Sequence, residues 1–223
     1  GSSLADTLYV WTNSPAEAPP YANWNTASHT LQDALYSADS GDTVIVTNGV
    51  YNQGNSAVYP GDLPNRAVVG SNVAVRSVNG PDSTVIEGRG PNGYNGMRGV
   101  YLYEGASIHG FTITGGHTWT NGNATYDQSG AGLLMETGSL ASNCIVTACS
   151  AHESGGGAMC RGGGLLERCT VTGNEADYGG GIEFEAGGTA ANTLVAGNYA
   201  WSAGGGIHLY YTGSPGPSLL NCT

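Results

Sequence analysis

The stretches GAMCRGGGLLERCTVTGN (157–174) and GIEFEAGGTAANTLVAGN (181–198) align with each other without a gap. Three more stretches align with them, namely GVYLYEGASIHGFTITGG (99–116), GLLMETGSLASNCIVTAC (132–149) and GIHLYYTGSPGPSLLNCT (206–223). Successive units start 33, 25, 24 and 25 residues apart, so the first unit carries an insertion of about eight residues within 119–128. A period of this length predicts a solenoid, in which each repeat packs only against its neighbours.

Apolar residues alternate with a period of two inside every unit, which is the pattern of a β-strand with one buried face. Stacked coils would place the members of each column about 4.8 Å apart, the spacing of neighbouring strands. We therefore predict an all-β fold, a right-handed parallel β-helix. The predicted inward columns are Val100, Leu133, Ala158, Ile182 and Ile207; Leu102, Met135, Cys160, Phe184 and Leu209; Phe111, Cys144, Cys169 and Thr193; and Ile113, Val146, Val171 and Val195.

Residues 28–42 contain the clearest helix signal in the chain, with the helix itself expected at about residues 29–39. Thr30 and Asp33 have the spacing of an N-terminal capping pair, and Gly41 sits where a helix C-terminus is expected. One face of this helix is apolar and carries Leu31, Ala34, Leu35 and Ala38. The pattern predicts a short helix that plugs the N-terminal end of the solenoid.

We interpret residues 1–42 as the N-terminal cap and residues 43–223 as β-helix coils. The sequence stops in the middle of a unit at Thr223. We therefore expect that the coils continue further, or that another molecule covers the open end, with self-association as one form of that cover. Before the repeats, the sequence predicts strands at 43–46, 72–78 and 83–87, a turn at 48–49 and a polar loop at 52–66.

The amino-acid composition excludes or disfavours several classes of protein. The chain has 223 residues with 38 glycines but no G-X-Y period, which excludes collagen, and 39% hydrophobic residues argue against disorder. All six basic residues are arginines, and 17 acidic residues bring the net charge to −11. This charge disfavours nucleic-acid and membrane-surface binding. The sequence also lacks a run of about 20 apolar residues, so no membrane insertion of this segment is expected.

The five cysteines lack the spacing of zinc or thioredoxin-like sites, and the sequence predicts no metal and no cofactor. Cys144 and Cys169 fall in one inward column on adjacent coils, at a separation compatible with a disulfide. Because in-register stacking does not favour the dihedral angle of a disulfide, we expect both to be buried free thiols.

The run TLQDALYSADSGDTVIVTNGVY (30–51) resembles the N-terminal cap and first coil of secreted β-helix proteins of the pectin-lyase-like superfamily. The phrases VTGNEADYGGGI (171–182) and VAGNYAWSAGGGI (195–207) resemble the repeats of bacterial surface β-helices, including polymorphic outer-membrane proteins. The resemblance covers nearly the whole chain and concerns the scaffold. It implies an extracellular or cell-surface location in a bacterium.

Alternation predicts two outward columns on the strands that open each unit: Tyr101, Leu134, Met159, Glu183 and His208 in the first, and Tyr103, Glu136, Arg161, Glu185 and Tyr210 in the second. In the second column Arg161 lies between Glu136 and Glu185, one strand spacing from each, and aromatic residues lie in the turns that enter the same sheet. Exposed rings stack on sugars and carboxylates accept hydroxyl hydrogen bonds, which indicates saccharide binding. A charge-paired, solvated sheet is the alternative. The candidate ligand-binding residues are Tyr103, Glu136, Arg161, Glu183, Glu185, Trp201, His208 and Tyr210.

Catalytic residues cannot be assigned from the sequence. Hydrolases of the superfamily that the chain resembles would show clustered aspartates, and no Asp-Asp pair is present. Lysine is absent, and an arginine base would have to lose a tightly held proton. The leading hypothesis is therefore a secreted or cell-surface protein for attachment or structure that binds glycans or a surface receptor. The alternative hypothesis is a carbohydrate-active enzyme, either a polysaccharide lyase or a glycoside hydrolase, of the pectin-lyase-like superfamily.

Overall fold

The computed structural model describes residues 5–210 and 216–223. Within them the elements follow in this order: β1 (Thr7–Val10), α1 (Leu31–Ser37), β2 (Thr43–Val46), β3 (Gly49–Tyr51), β4 (Asn65–Val69), β5 (Ala74–Ser77), β6 (Thr84–Glu87), β7 (Arg98–Leu102), β8 (Ser107–His109), β9 (Thr112–Thr114), β10 (Leu133–Met135), β11 (Leu140–Ser142), β12 (Ile145–Thr147), β13 (Ala158–Arg161), β14 (Leu165–Glu167), β15 (Thr170–Thr172), β16 (Glu175–Tyr178), β17 (Ile182–Glu185), β18 (Thr189–Ala191), β19 (Leu194–Ala196), β20 (Tyr199–Ala203), β21 (Ile207–Tyr210) and β22 (Ser218–Leu220).

The strands form three long parallel sheets and one short one. Sheet A runs β1-β2-β5-β8-β11-β14-β18-β22, sheet B runs β3-β6-β9-β12-β15-β19, and sheet C runs β4-β7-β10-β13-β17-β21. β16 and β20 pair beside them. Each full coil contributes one strand to C, then one to A, then one to B. This is the right-handed parallel β-helix that the repeats predict.

The predicted inward columns are confirmed by the strand register. In sheet C, Val100 pairs with Leu133, Leu133 with Ala158, and the ladder continues through Ile182 to Ile207. Side chains of this column are fully buried as far as Ile182. The interior is therefore one continuous apolar core, and each coil buries its inner face against the next.

The N-terminal end of the core is plugged by α1, which packs against β1, β2 and β4. Leu31 and Ala34 are fully buried there. The Gln32 side chain accepts a hydrogen bond from the backbone N–H of Val68 at 2.8 Å, on the first strand of sheet C. The helix thus covers an exposed strand edge as well as an apolar surface.

The helix is shorter than the predicted 29–39. Thr30 is its N-cap and accepts a hydrogen bond from Asp33 N at 3.1 Å, as its spacing suggests, but the helix ends at Ser37 and not near Gly41.

A strand precedes the helix, because β1 pairs with β2 as the first member of sheet A. The predicted turn at 48–49 opens strand β3, and the predicted loop at 52–66 includes the start of β4. The predicted strands at 43–46, 72–78 and 83–87 correspond to β2, β5 and β6, whereas β1, β3 and β4 were not predicted from the sequence.

The predicted burial of Cys144 and Cys169 on adjacent coils is confirmed. Cys144 and Cys169 are 1% and 2% exposed, and both are free thiols. They lie on adjacent coils immediately before β12 and β15. Their thiols fill the core as small apolar groups.

Stacked asparagines close the turns after sheet B. Asn174 Oδ1 accepts from Cys149 N at 3.0 Å, and its Nδ2 donates to Val146 O at 3.0 Å. One coil later Asn198 Nδ2 donates to Val171 O at 2.8 Å, and its Oδ1 accepts from Asn174 N at 3.0 Å. Asn174 is 1% exposed, so no water can replace its side chain at these backbone groups.

We expect Asn174→Ala to lower the free energy of unfolding by about 2–4 kcal/mol, because a buried N–H and a buried C=O both lose their partner. The measurement is chemical denaturation followed by circular dichroism. Asn121→Ala, at an exposed position of the insertion, is the matched control and should change stability by less than about 0.5 kcal/mol. Equal stability of the two variants would contradict the ladder.

Candidate functional site

The insertion predicted within 119–128 folds over the outer face of sheet C and is held there by Arg98. The guanidinium of Arg98 is 1% exposed and donates to the backbone carbonyls of Tyr126 (2.6 Å), Ser129 (2.8 Å) and Gly130 (2.8 Å) and to Asn65 Oδ1 (2.6 Å). Burial lowers the pKa of Arg98 to about 10, so the group keeps its charge at neutral pH. The buried charge of Arg98 is thus the first anchor of the loop on the coil.

Asp127 makes the second anchor. Its carboxylate accepts from the backbone N–H groups of Asp62 (2.7 Å), Leu63 (2.8 Å) and Asn123 (2.8 Å), and the residue is 3% exposed. These bonds tie the loop before β4 to the insertion. The two loops cover a second apolar cluster on the outside of sheet C, made by Val58, Tyr101 and Leu134 with Val68, Tyr103 and Tyr126 at its border.

Because of this cover, the outer face of sheet C is less exposed to solvent than the alternation of residues predicts. The register of the first outward column is as predicted, but Tyr101, Leu134, Met159 and Glu183 are only 0–5% exposed. The insertion and the turns before sheet C shield them from water. The outer face of sheet C is therefore a half-covered groove, and only its C-terminal part is open.

The groove has a volume of about 620 Å³. Its floor comes from β13, β17 and β21, and its walls come from the insertion and the turns before sheet C. Negative charge dominates its lining, because three carboxyl groups face one histidine. The lining residues are Ala124, Thr125, Ser129, Glu153, Ser154, Met159, Tyr178, Glu183, Glu185, His208 and Tyr210.

Glu183 is the most perturbed group in the groove. It is 2% exposed, and His208 Nδ1 lies 2.9 Å from its Oε2 and 3.1 Å from its Oε1. The ring of Tyr178 lies beside the imidazole, with ring centroids 5.4 Å apart. Burial raises the pKa of Glu183 to about 7, although His208 acts in the opposite direction. A carboxyl group of this kind can give or take a proton at neutral pH.

Arg161 lies between two carboxylates, as the repeat alignment predicts. Its Nη1 donates to Glu136 Oε1 at 2.9 Å, and its Nε donates to Glu185 Oε2 at 2.8 Å. Nη1 also donates to the Tyr126 hydroxyl at 2.9 Å, and Tyr101 OH donates to Glu136 Oε1 at 2.8 Å. Desolvation opposes the charge of Arg161, but the two carboxylates raise its pKa above the usual value. The network fixes Glu185 at the edge of the groove.

The structure brings four of the eight candidate residues into the groove: Glu183, Glu185, His208 and Tyr210. Glu136 and Arg161 stand behind them as the ion-pair network, and Tyr103 packs edge-on against Tyr101 at 4.9 Å, under the insertion. Trp201 is 68% exposed on β20, outside the lining. Alternation along the strands of the repeats could not place the wall residues Glu153 and Ser154, which precede β13, or Tyr178, the last residue of β16. The irregular length of the first repeat was the one signal of a cover.

No group of three or more His, Cys, Asp or Glu side chains in residues 5–210 and 216–223 is arranged to hold a metal ion. Within the same residues, no helix is long and apolar enough to cross a membrane. The chemistry available in the groove is that of carboxyl groups, a histidine and tyrosines.

Comparisons with known proteins place this geometry in context. No protein-family model matches the chain, and the comparison with curated proteins found no match. Among solved structures, pectin methylesterase PemA from Erwinia chrysanthemi is similar with a TM-score of 0.52 and 12% identity, over 99% of this chain and 79% of that one. A pectin methylesterase in complex with hexasaccharide VII gives a TM-score of 0.53 at 12% identity, with the same coverage. The likeness is one of fold.

The raised pKa of Glu183 predicts a pH-dependent stability. Between the usual pKa of 4.5 and the folded-state value of about 7, the folded protein binds more protons than the unfolded chain. The free energy of unfolding should therefore fall as pH rises through this window, by on the order of 2 kcal/mol.

The effect can be isolated by comparing His208→Gln with His208→Gln/Glu183→Gln, because both proteins lack the histidine partner of Glu183 and differ only at position 183. Urea denaturation from pH 4 to pH 8 should show the fall in the first protein and a flatter profile in the second. Profiles of equal slope for the two proteins would contradict a raised pKa of Glu183 in the folded protein.

Proposed function

We propose that this chain is a carbohydrate-active enzyme that hydrolyses a glycosidic bond in the groove, with Glu183 as the general acid. The observation that carries the proposal is a carboxyl group with a pKa near 7, almost fully buried and yet facing an open cavity. Perturbed acids of this kind are concentrated at catalytic sites. A protonated Glu183 would give its proton to the leaving sugar oxygen, and His208 would hold the carboxylate left behind.

Glu185 supplies the second carboxylate. It follows Glu183 by two positions on β17, so both side chains lie on the same face with Cα atoms about 6.6 Å apart. Arg161 Nε donates to its Oε2 at 2.8 Å and so places a positive charge beside it. A carboxyl group that can donate a proton and a second carboxyl group beside it on the groove floor are the two parts that glycoside hydrolysis needs. Glu185 would activate water or attack the anomeric carbon, and the anomer released first distinguishes these roles.

The groove also suits the shape of a sugar chain. The rings of Tyr178 and Tyr210 line it, and aromatic faces pack against pyranose rings. One protein of similar fold was solved in complex with a hexasaccharide, which supports an elongated saccharide as the ligand class. Glu153, Glu183 and Glu185 make the groove acidic, so the proposal favours a neutral saccharide over a polyanionic one. The extracellular location expected from the sequence forms part of the proposal.

We expect Glu183→Gln to lower kcat at least 100-fold on any neutral oligosaccharide that the wild-type protein hydrolyses, because the amide cannot donate the required proton. Wild-type activity should fall as pH rises through about 7, where Glu183 loses its proton. The assay is a panel of neutral oligosaccharides followed by mass spectrometry of the products. Glu104→Gln, at an exposed position away from the groove, is the control. Bound saccharide without product, or an active Glu183→Gln variant, would overturn the proposal.

A second candidate function is attachment through saccharide binding without turnover. It is favoured by an exposed aromatic pair, because Tyr199 and Trp201 on β20 are 52% and 68% exposed and their rings meet edge-on at 4.9 Å. Repeats that resemble those of bacterial surface β-helices agree with this role. Self-association through the last coil stays a prediction of the sequence.

If binding uses these rings, Tyr199→Ala and Trp201→Ala should each weaken saccharide affinity by about 1–2 kcal/mol. Tyr36→Ala is the matched control, since Tyr36 is equally exposed (66%) on the capping helix. Affinities come from calorimetric titration with the best-binding oligosaccharide of the panel. Unchanged affinity in both variants would remove this surface from consideration.

A further inference from the structure

A second cavity, of about 390 Å³, lies near the N-terminal end of the β-helix and shares no lining residue with the groove. It is formed by side chains of β4 and β6 and by the turns after β3, β6 and β9. Its lining consists of polar side chains and glycine backbone. The lining residues are Asn52, Gln53, Arg66, Glu87, Gly88, Arg89, Gly90, Gly115 and His117.

Arg66 is a buried cation without an ion-pair partner in the described residues. It is 5% exposed, its Nε donates to Glu87 O at 2.7 Å, and its Nη1 donates to Gly54 O at 2.6 Å. No carboxylate oxygen of residues 5–210 and 216–223 lies within 4.0 Å of it, and its Nη2 donates to none of their atoms. A buried guanidinium without a counter-ion is costly unless an anion joins it.

A second guanidinium increases the positive charge of the cavity. Arg89 is exposed at its rim, its Nε donates to Asn95 O at 2.9 Å, and it has no ion-pair partner in the described part of the chain. Burial, and then the charge of Arg89, lower the pKa of Arg66, whereas Glu87 opposes the shift. One carboxylate therefore faces two guanidinium groups, in a chain whose net charge is −11.

The neighbouring groups leave this charge available. Glu87 is engaged by an amide, since Asn52 Nδ2 donates to Glu87 Oε2 at 3.1 Å. Gly90 leaves room for a neighbouring side chain, because a Cβ atom at this position would lie 2.5 Å from the ring of His117. The imidazole can occupy the cavity border only because no side chain stands there. The result is an open cavity whose lining includes two guanidinium side chains.

We propose that this cavity binds an oxyanion, either a free tetrahedral anion such as sulfate or the carboxylate of an acidic sugar. A guanidinium presents parallel N–H donors that match two oxygens of either group, and a charge-assisted bond to Arg66 would satisfy its remaining donors. The cavity is larger than one ion, so an anion carried on a sugar ring also fits. The inference does not depend on the proposed function of the groove.

The test is calorimetric titration of the full chain with inorganic sulfate, a hexuronate and a neutral hexose at constant ionic strength. Saturable binding of sulfate or of the hexuronate, with no binding of the hexose, supports the site. Tighter binding of the hexuronate assigns a sugar-borne anion, and tighter binding of sulfate assigns the free anion. Absence of saturation by both anions up to about 50 mM would overturn the proposal.

Variants locate the site. Arg89→Gln, at the exposed rim, should weaken anion binding about fivefold without unfolding the chain, and Arg66→Gln should weaken it further. Arg76→Gln removes an exposed arginine on sheet A and serves as the matched control, with no expected change. Glu183→Gln should leave anion binding intact even if it abolishes turnover. Equal affinity of Arg89→Gln and Arg76→Gln for the anion would place it elsewhere and contradict the inference.

Discussion

In-register stacking of the coils is the constraint on which the rest of the structure depends. Strands of one sheet stand about 4.8 Å apart, so residues one repeat apart in the sequence become direct neighbours. The register of sheet C pairs Glu183 directly with His208. It also pairs Arg161 directly with Glu185. Both contacts follow from this stacking. A change of register by one residue would send the ion pairs into the apolar core and expel the core into water.

The insertion adds the one feature that regular stacking cannot provide, which is a cover over an outward face. It depends on two buried ionised side chains that bind backbone groups: Arg98 donates to three carbonyls, and Asp127 accepts from three N–H groups. Each bond has a charged partner, which makes it stronger than a neutral hydrogen bond. By excluding water from part of sheet C, the cover creates the environment that perturbs Glu183. The catalytic proposal therefore depends on a loop that departs from the repeat.

The charges are separated along the molecule. The groove at the C-terminal part of sheet C collects carboxylates, while the cavity beside β4 and β6 holds two arginines without ion-pair partners among the described residues. Arg66, Arg98 and Arg161 all donate several hydrogen bonds from buried or half-buried positions. A guanidinium suits such positions better than an ammonium, because it has five donors in a fixed plane and is weakly hydrated. This fits a chain in which every basic residue is an arginine.

The sequence by itself determined the fold, the register of sheet C and the Arg161 ion pairs, because a repeat of about 25 residues with alternating apolar positions allows one stacking only. It could also place Glu183 beside His208. It could not show that Glu183 is buried, nor that Glu153 lines the same groove, since those facts depend on how the non-repeating loop and the segments before sheet C fold back. Likewise, Arg66 and Arg89 are 23 positions apart in segments before the clear repeats, with no pattern to join them. Periodicity specifies neighbours along the stack, whereas burial at the surface and the meeting of irregular turns are decided only by tertiary contacts.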